Sequence, residues 1–279
     1  MDNHKYGKTY RVEKVIDFWS DALERYVVMD IYLPPGFEPH HHNCPLLLFN
    51  DGQDGEGVHL LHHLNRLTAD AAITAPLAVG VYAGERIQEY GVAAQPDYKN
   101  RGRKAGAYSR FVMEELIPQL TGLYHINTRH SKNTISGFSL GGLSAFDIAW
   151  NNAGVFKQVG VFSGAFWWRS EPVNDHEPDA HRIMHEEVRK APFKPDLRFW
   201  FQSGSLDEEE DRNNNGVIDV IDDILDLSVE LVCKGYRPFY DIAYLEIANG
   251  QHNLPTWGKA MPWFLKWAFG HKPVHSVTL

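Results

Sequence analysis

The stretch Thr134-Ile135-Ser136-Gly137-Phe138-Ser139-Leu140-Gly141-Gly142 holds a Gly-x-Ser-x-Gly run between an apolar segment and a helical pattern opening at Leu140. A serine raised on a sharp strand-to-helix turn can attack a carbonyl. The turn is so tight that the residues two positions away must be glycine to avoid the adjoining strand and helix. Ser139 is therefore the candidate nucleophile. A plainer reading also exists, with Gly137 and Gly141 as helix-packing glycines and Ser139 as a helix N-cap. The order of residues downstream favours chemistry: an acid, then a histidine, each in a loop after an apolar run. Leu197 to Phe201 leads into Gln202-Ser203-Gly204-Ser205-Leu206-Asp207, and Phe239 to Ile247 leads into Asn249-Gly250-Gln251-His252-Asn253. His252 would take the Ser139 proton and return it to the leaving alcohol, while Asp207 fixes the imidazole tautomer. Glu208 is the alternative acid; Asp207 is preferred because it is nearer the strand and its shorter side chain holds the ring more tightly.

Charge that develops on the attacked carbonyl oxygen needs backbone N–H donors, one of them from the residue after the nucleophile. Leu140 is that residue. Gln53, in the Asn50-Asp51-Gly52-Gln53 turn after Leu46-Leu47-Leu48, is assigned as the second donor, although an ordinary Asp-Gly turn would read the same way. Asp51 in the same turn, Trp167 and Trp168 after the following strand, and Tyr90 in the irregular stretch beyond Tyr82 are placed against the substrate. For each aromatic residue core packing is the competing reading.

These positions require strands that end at one edge and helices that carry the chain back. Short apolar runs mark strands at Tyr26 to Leu33, Pro45 to Phe49, Leu77 to Tyr82, Asn133 to Ser136, Gln158 to Phe162, Leu197 to Phe201 and Phe239 to Ile247. Helical patterns cover Ala107 to Leu120, Leu140 to Asn151, Asp222 to Lys234 and Trp257 to Phe269. The alternation predicts an α/β fold with a mostly parallel central sheet, helices on both faces and an antiparallel strand or hairpin at its start. Ligands then gather at the carboxyl ends of the strands. Without a repeat or a linker, the 279 residues read as one domain, 1–279.

A formal charge of −9 argues against nucleic acid or an anionic membrane as partner, since both demand basic patches. The two cysteines, Cys44 and Cys233, fit neither a disulfide framework nor a thiolate zinc site. The stretch Met1 to Lys8 lacks the apolar core of a secretory signal, which gives the expectation of a soluble, cytoplasmic chain. The expected partner is a small-molecule ester; oligomeric state is not legible.

Together, Leu33-Pro34-Pro35-Gly36-Phe37, Asn50-Asp51-Gly52-Gln53, Gly137 to Gly142, Ser163-Gly164-Ala165-Phe166-Trp167-Trp168 and Gly250-Gln251-His252-Asn253 resemble the putative esterase (esterase D-like) family, in particular its branch similar to enterochelin esterases. The resemblance implies an α/β-hydrolase fold, ester hydrolysis through an acyl-enzyme without a catalytic cofactor, and Ser139, Asp207 and His252 as the triad. It leaves the substrate open, because relatives span siderophore, feruloyl and acetyl-xylan esterases, thioester hydrolases and acyltransferases. Acyl transfer to a sugar or other alcohol, and a non-catalytic carbohydrate-binding relative, are the alternative functions.

A last motif lies in an insertion at about 207–223. Asp211, Asn213, Asn215, Val217, Asp219 and Asp222 fall at the ligand positions of a twelve-residue calcium loop, with Gly216 at the tight turn and Asp in place of the closing Glu, as in dockerin-type loops. The stretch is crowded with carboxylates against the single basic residue Arg212, so a structural Ca2+ is expected to offset their repulsion. The competing reading is a solvated Asn/Gly turn ahead of a helix.

Overall fold

The computed structural model describes residues 8–40 and 43–271. The amino-terminal stretch read for a signal thus lies, apart from Lys8, outside the described residues. Eight strands form one sheet: β1 (Arg11–Ser20), β2 (Arg25–Leu33), β3 (Leu46–Asn50), β4 (Leu77–Val81), β5 (Thr134–Phe138), β6 (Gln158–Phe162), β7 (Arg198–Leu206) and β8 (Ile242–Gln251), in spatial order β1-β2-β4-β3-β5-β6-β7-β8. β1 and β2 form an antiparallel hairpin and β2 is antiparallel to β4; every later pairing is parallel.

The helices are α1 (Leu60–Ala69), α2 (Arg86–Glu89), α3 (Ala105–Arg110), α4 (Ile117–Tyr124), α5 (Leu140–Asn151), α6 (Ile183–Lys190), α7 (Asp219–Lys234) and α8 (Leu254–Phe269). Along β3, Leu46 and Leu48 join one buried cluster with α5 and α7, while Leu47 and Phe49 join another with α1 and α8. That alternation is the pleat of a strand covered on both faces, and it explains why β3, β4, β5 and β6 are buried at every position.

β1 carried no strand signal because it is an edge strand. Arg11, Glu13, Lys14 and Asp17 interrupt its apolar residues, Val12 and Ile16 remain exposed, and a register shift falls between Val15 and Phe18. α1 and α6 were likewise not expected; each is short and polar on its outer face, with only three or four buried residues. The single helix expected over Ala107 to Leu120 is α3 and α4 joined through a π-helical stretch, Phe111–Leu116. Pro118 explains the interruption, since it cannot donate to the preceding turn. α8 begins at Leu254 rather than Trp257 because the Asn253 side chain caps the Thr256 N–H at 3.0 Å and Pro255 occupies the first turn.

The strand order creates the site. From β3 the chain crosses to β4 on one side, and β5 then returns on the other side of β3. Loops leaving β3 and β5 therefore diverge at the strands' carboxyl ends, the place where sheets of this kind form a crevice. Asn50 ends β3 and Asp51 follows it; Ser139 follows β5.

Candidate active site

Ser139 sits at φ 51°, ψ −119°, a conformation that an L-residue holds only when its surroundings impose it. Those surroundings are specific. Its N–H donates to the Phe162 carbonyl at 2.8 Å, and its own carbonyl accepts the Gly142, Leu143 and Ala165 N–H groups. A Cβ on Gly137 would lie 2.3 Å from the Gly141 carbonyl oxygen, and one on Gly141 2.6 Å from Asp51 Oδ2. The glycines flanking the serine are thus dictated by contact with backbone and with the β3 loop. The Ser139 hydroxyl makes no capping hydrogen bond to α5, so the N-cap reading does not describe it. Leu140 and Gln53 both keep a backbone N–H with no acceptor among the described residues.

The β3 loop is clamped onto this turn. Asn50 Nδ2 donates to the Gly141 carbonyl at 2.7 Å, while Asn50 Oδ1 accepts the Tyr108 hydroxyl at 2.6 Å. Asp51 is left-handed at φ 61°, and Gly52 lies so close to β4 that a Cβ would sit 2.3 Å from the Gly80 carbonyl. The Asp51 carboxylate, expected at the substrate, is buried instead. Arg86 Nε and Nη2 donate to its two oxygens at 2.8 and 2.9 Å, and Gln53 Nε2 adds a contact at 3.2 Å. Arg86 Nη2 also reaches the Phe138 carbonyl, one residue before Ser139, at 3.1 Å. Sequence reasoning missed Arg86 because it lies in an irregular stretch with no periodic signal.

Asp207 and His252 leave the ends of β7 and β8, which continue to pair as far as Leu206 and Gln251. No hydrogen bond joins Ser139 to His252, or His252 to Asp207, among the described residues; shared neighbours bring them together. Trp257 stacks on Phe138 at 4.9 Å, presents its ring to His252 at 5.2 Å, and donates Nε1–H to the Ser163 hydroxyl at 2.9 Å. Burial raises the Asp207 pKa above the ordinary carboxylate value, opposed by the Gly204 amide, by Ser163 and by His252. Crowding on one side of the otherwise exposed His252 ring lowers its pKa; Asp207 counters this and the Arg86 cation reinforces it. The lowered His252 pKa favours neutral imidazole, the form that can accept a proton. Asp207 Oδ2 accepts the Gly204 N–H at 3.0 Å, while Oδ1 is buried without a partner among the described residues. Glu208 turns away: its carboxylate accepts the Val220 N–H at the start of α7, and burial raises its pKa to about 7. Ser163 and Trp257 were not expected in the site; only the Ser163-Gly164 turn after a strand hinted at them.

Of the expected aromatic contacts, Trp167 alone stays half-buried, with Arg101 4.9 Å from its ring centre. Trp168 and Tyr90 are fully buried and do not line a rim. Trp168 packs over Gly91 and Gly102, and the Tyr90 hydroxyl accepts the Asp51 N–H at 3.0 Å, so both hold the 82–104 segment to the core.

The acidic loop is organised by more arginine than its own sequence offers. Arg212 turns inward and pairs with Asp179 (2.7 Å), Asp219 (3.2 Å) and Asp223 (2.7 Å). Arg182 contributes a further guanidinium to Asp223 and Asp226. Arg182, from outside the loop, thus joins Arg212 in offsetting part of this carboxylate charge. Asp211 accepts the Asn215 and Gly216 amides at 3.0 and 2.9 Å, and Asn213 and Asn215 both donate to Asp222 Oδ2. Asp219 is committed to Arg212, and the acidic atoms that approach within 4.8 Å of one another belong to Asp179, Asp222 and Asp226.

The profile of a family described as putative esterase matches residues 20–267. A search of curated proteins finds no match. Among solved structures, a ferulic acid esterase superposes with TM-score 0.68 at 17% identity, covering 93% of this chain and 98% of the other. The BES protein from Bacillus cereus gives 0.68 at 19%, covering 92% and 94%. The enterobactin esterase from Shigella flexneri, solved with 2,3-di-hydroxy-N-benzoyl-glycine, gives 0.69 at 17%, and the match spans 92% of this chain but only 59% of that protein. No helix among the described residues is long and apolar enough to cross a membrane.

Proposed function

Because the chain belongs to the putative esterase family and is thus a carboxylic ester hydrolase, we propose that it cleaves a small-molecule ester through an acyl-enzyme formed on Ser139. The observation that carries this reading is the strained, uncapped Ser139 at the crevice between β3 and β5. His252 takes the hydroxyl proton as Ser139 Oγ attacks the ester carbonyl, then gives it to the departing alcohol; water repeats the sequence on the acyl-enzyme. Asp207 Oδ1, buried and unpartnered, is available to hold the imidazole N–H. The Leu140 and Gln53 amides are the donors for the oxyanion. A fluorophosphonate probe tests the assignment: it should add one mass increment, on the peptide containing Ser139, in step with loss of p-nitrophenyl acetate hydrolysis. Labelling elsewhere, or activity that survives full labelling, would refute it.

We also propose that the outer face of the acidic loop binds calcium, with Asp211, Asn213, Asn215, the Val217 carbonyl and Asp222 as donors. Since arginines already balance the interior carboxylates, the ion stabilises the loop and takes no part in the reaction. Millimolar calcium should raise Tm by a few degrees relative to chelator, by mass action on the native state, and Asp222→Asn should abolish the rise. An unchanged Tm, with no heat of calcium binding by titration calorimetry, would leave the loop a solvated turn.

A further inference from the structure

Arg86 uses only part of its guanidinium. Nε and Nη2 are held by Asp51 and the Phe138 carbonyl, whereas Nη1 has no partner among the described residues. The Arg86 side chain is 39% exposed and that of Asp51 1%. This ion pair therefore lies with its negative end in the protein and its positive end toward solvent. The guanidinium cannot swing away, since it is bonded at two edges and packed 5.5 Å from the ring centre of buried Tyr90. Its surroundings are those of the reaction. Phe138 directly precedes Ser139, and the Arg86 charge is felt at His252.

We propose that Arg86 determines specificity by binding, through Nη1, an anionic oxygen that the substrate carries near its scissile ester, a carboxylate or phenolate. The inference rests on the assignment of Ser139 and His252 above. A preorganised guanidinium edge suits this role because charge-assisted hydrogen bonds are about twice as strong as neutral ones, and Asp51 has already fixed the geometry.

Two matched ester pairs test it on both sides of the scissile bond: mono-4-nitrophenyl succinate against 4-nitrophenyl butyrate, and 4-acetoxybenzoate against its methyl ester. The readout is the ratio of kcat/KM for the anionic member over the neutral one. In at least one pair Arg86→Gln should lower that ratio by about tenfold or more, mainly through KM, with Arg86→Lys restoring part of it. Because Arg86→Gln alone leaves Asp51 unpaired and buried, Asp51→Asn/Arg86→Gln provides a second background in which the same fall is expected. Ratios unchanged in both pairs and both backgrounds, while Ser139→Ala stops all four reactions, would overturn the role of Arg86 and leave the nucleophile intact. Turnover surviving in Ser139→Ala would overturn the nucleophile instead.

Discussion

Ser139→Ala should lower kcat/KM for p-nitrophenyl acetate by at least about 10³-fold, with the fold and Tm unchanged. The loss is large because on the proposed route the hydroxyl forms the covalent bond, and only the oxyanion donors and substrate binding remain without it. The strained backbone permits a sharper comparison. Alanine keeps the Cβ and hence the strain of φ 51°, ψ −119°. Glycine relieves it, and such strain costs on the order of 1–3 kcal/mol. Ser139→Gly should therefore be as inactive as Ser139→Ala yet melt several degrees higher. A serine that merely connected β5 to α5 would show no loss of activity in either variant, and that result would remove Ser139 from the mechanism.

Asp207→Asn is the second large effect, with kcat expected to fall by about 10³- to 10⁴-fold through the wrong imidazole tautomer. Glu208→Gln separates the two neighbouring acids. The Glu208 carboxylate is engaged at the start of α7 and surrounded by Asp219, Asp223 and Glu210, whereas His252 acts electrostatically on Asp207. Glu208→Gln should consequently keep kcat within about threefold of wild type, any cost falling on Tm through the weakened cap. Steady-state kinetics on both variants at pH 8 decides the matter. If Glu208→Gln were the crippled variant, the orienting acid would be Glu208.

What could be read from the chain followed the strength of local signals. Buried parallel strands such as Leu46–Asn50 and Gln158–Phe162 announce themselves as short apolar runs, and the glycines around Ser139 are required by the turn itself. β1 was hidden because half of an edge strand faces water, and its pattern includes a bulge. Within the site, the β3 loop was legible as a turn, but the fate of Asp51 was not. Its partner Arg86 lies 35 positions away in a segment without periodicity, so nothing local distinguishes a buried ion pair from a substrate ligand. Tyr90 and Trp168 failed for a related reason: an aromatic residue near a strand end can face the pocket or anchor the loop, and only packing decides. The charge balance around the acidic loop could not be read from its composition, since Arg182 enters from another element and cannot be counted in a twelve-residue window.

The bond from Trp257 to Ser163 spans 94 positions, and Trp257 lies in a helix that follows His252. During synthesis, then, the serine turn emerges long before the groups proposed to activate it. A nascent chain that has released β5 and α5 but not β8 and α8 presents the Ser139 turn without His252 or Trp257, and one apolar face of its sheet still lacks the cover of Trp257, Phe264 and Trp267. On the proposed assignment, hydrolytic competence thus arrives only once β8 and α8 have been made, so a polypeptide cut short before them would be chemically silent as well as unstable.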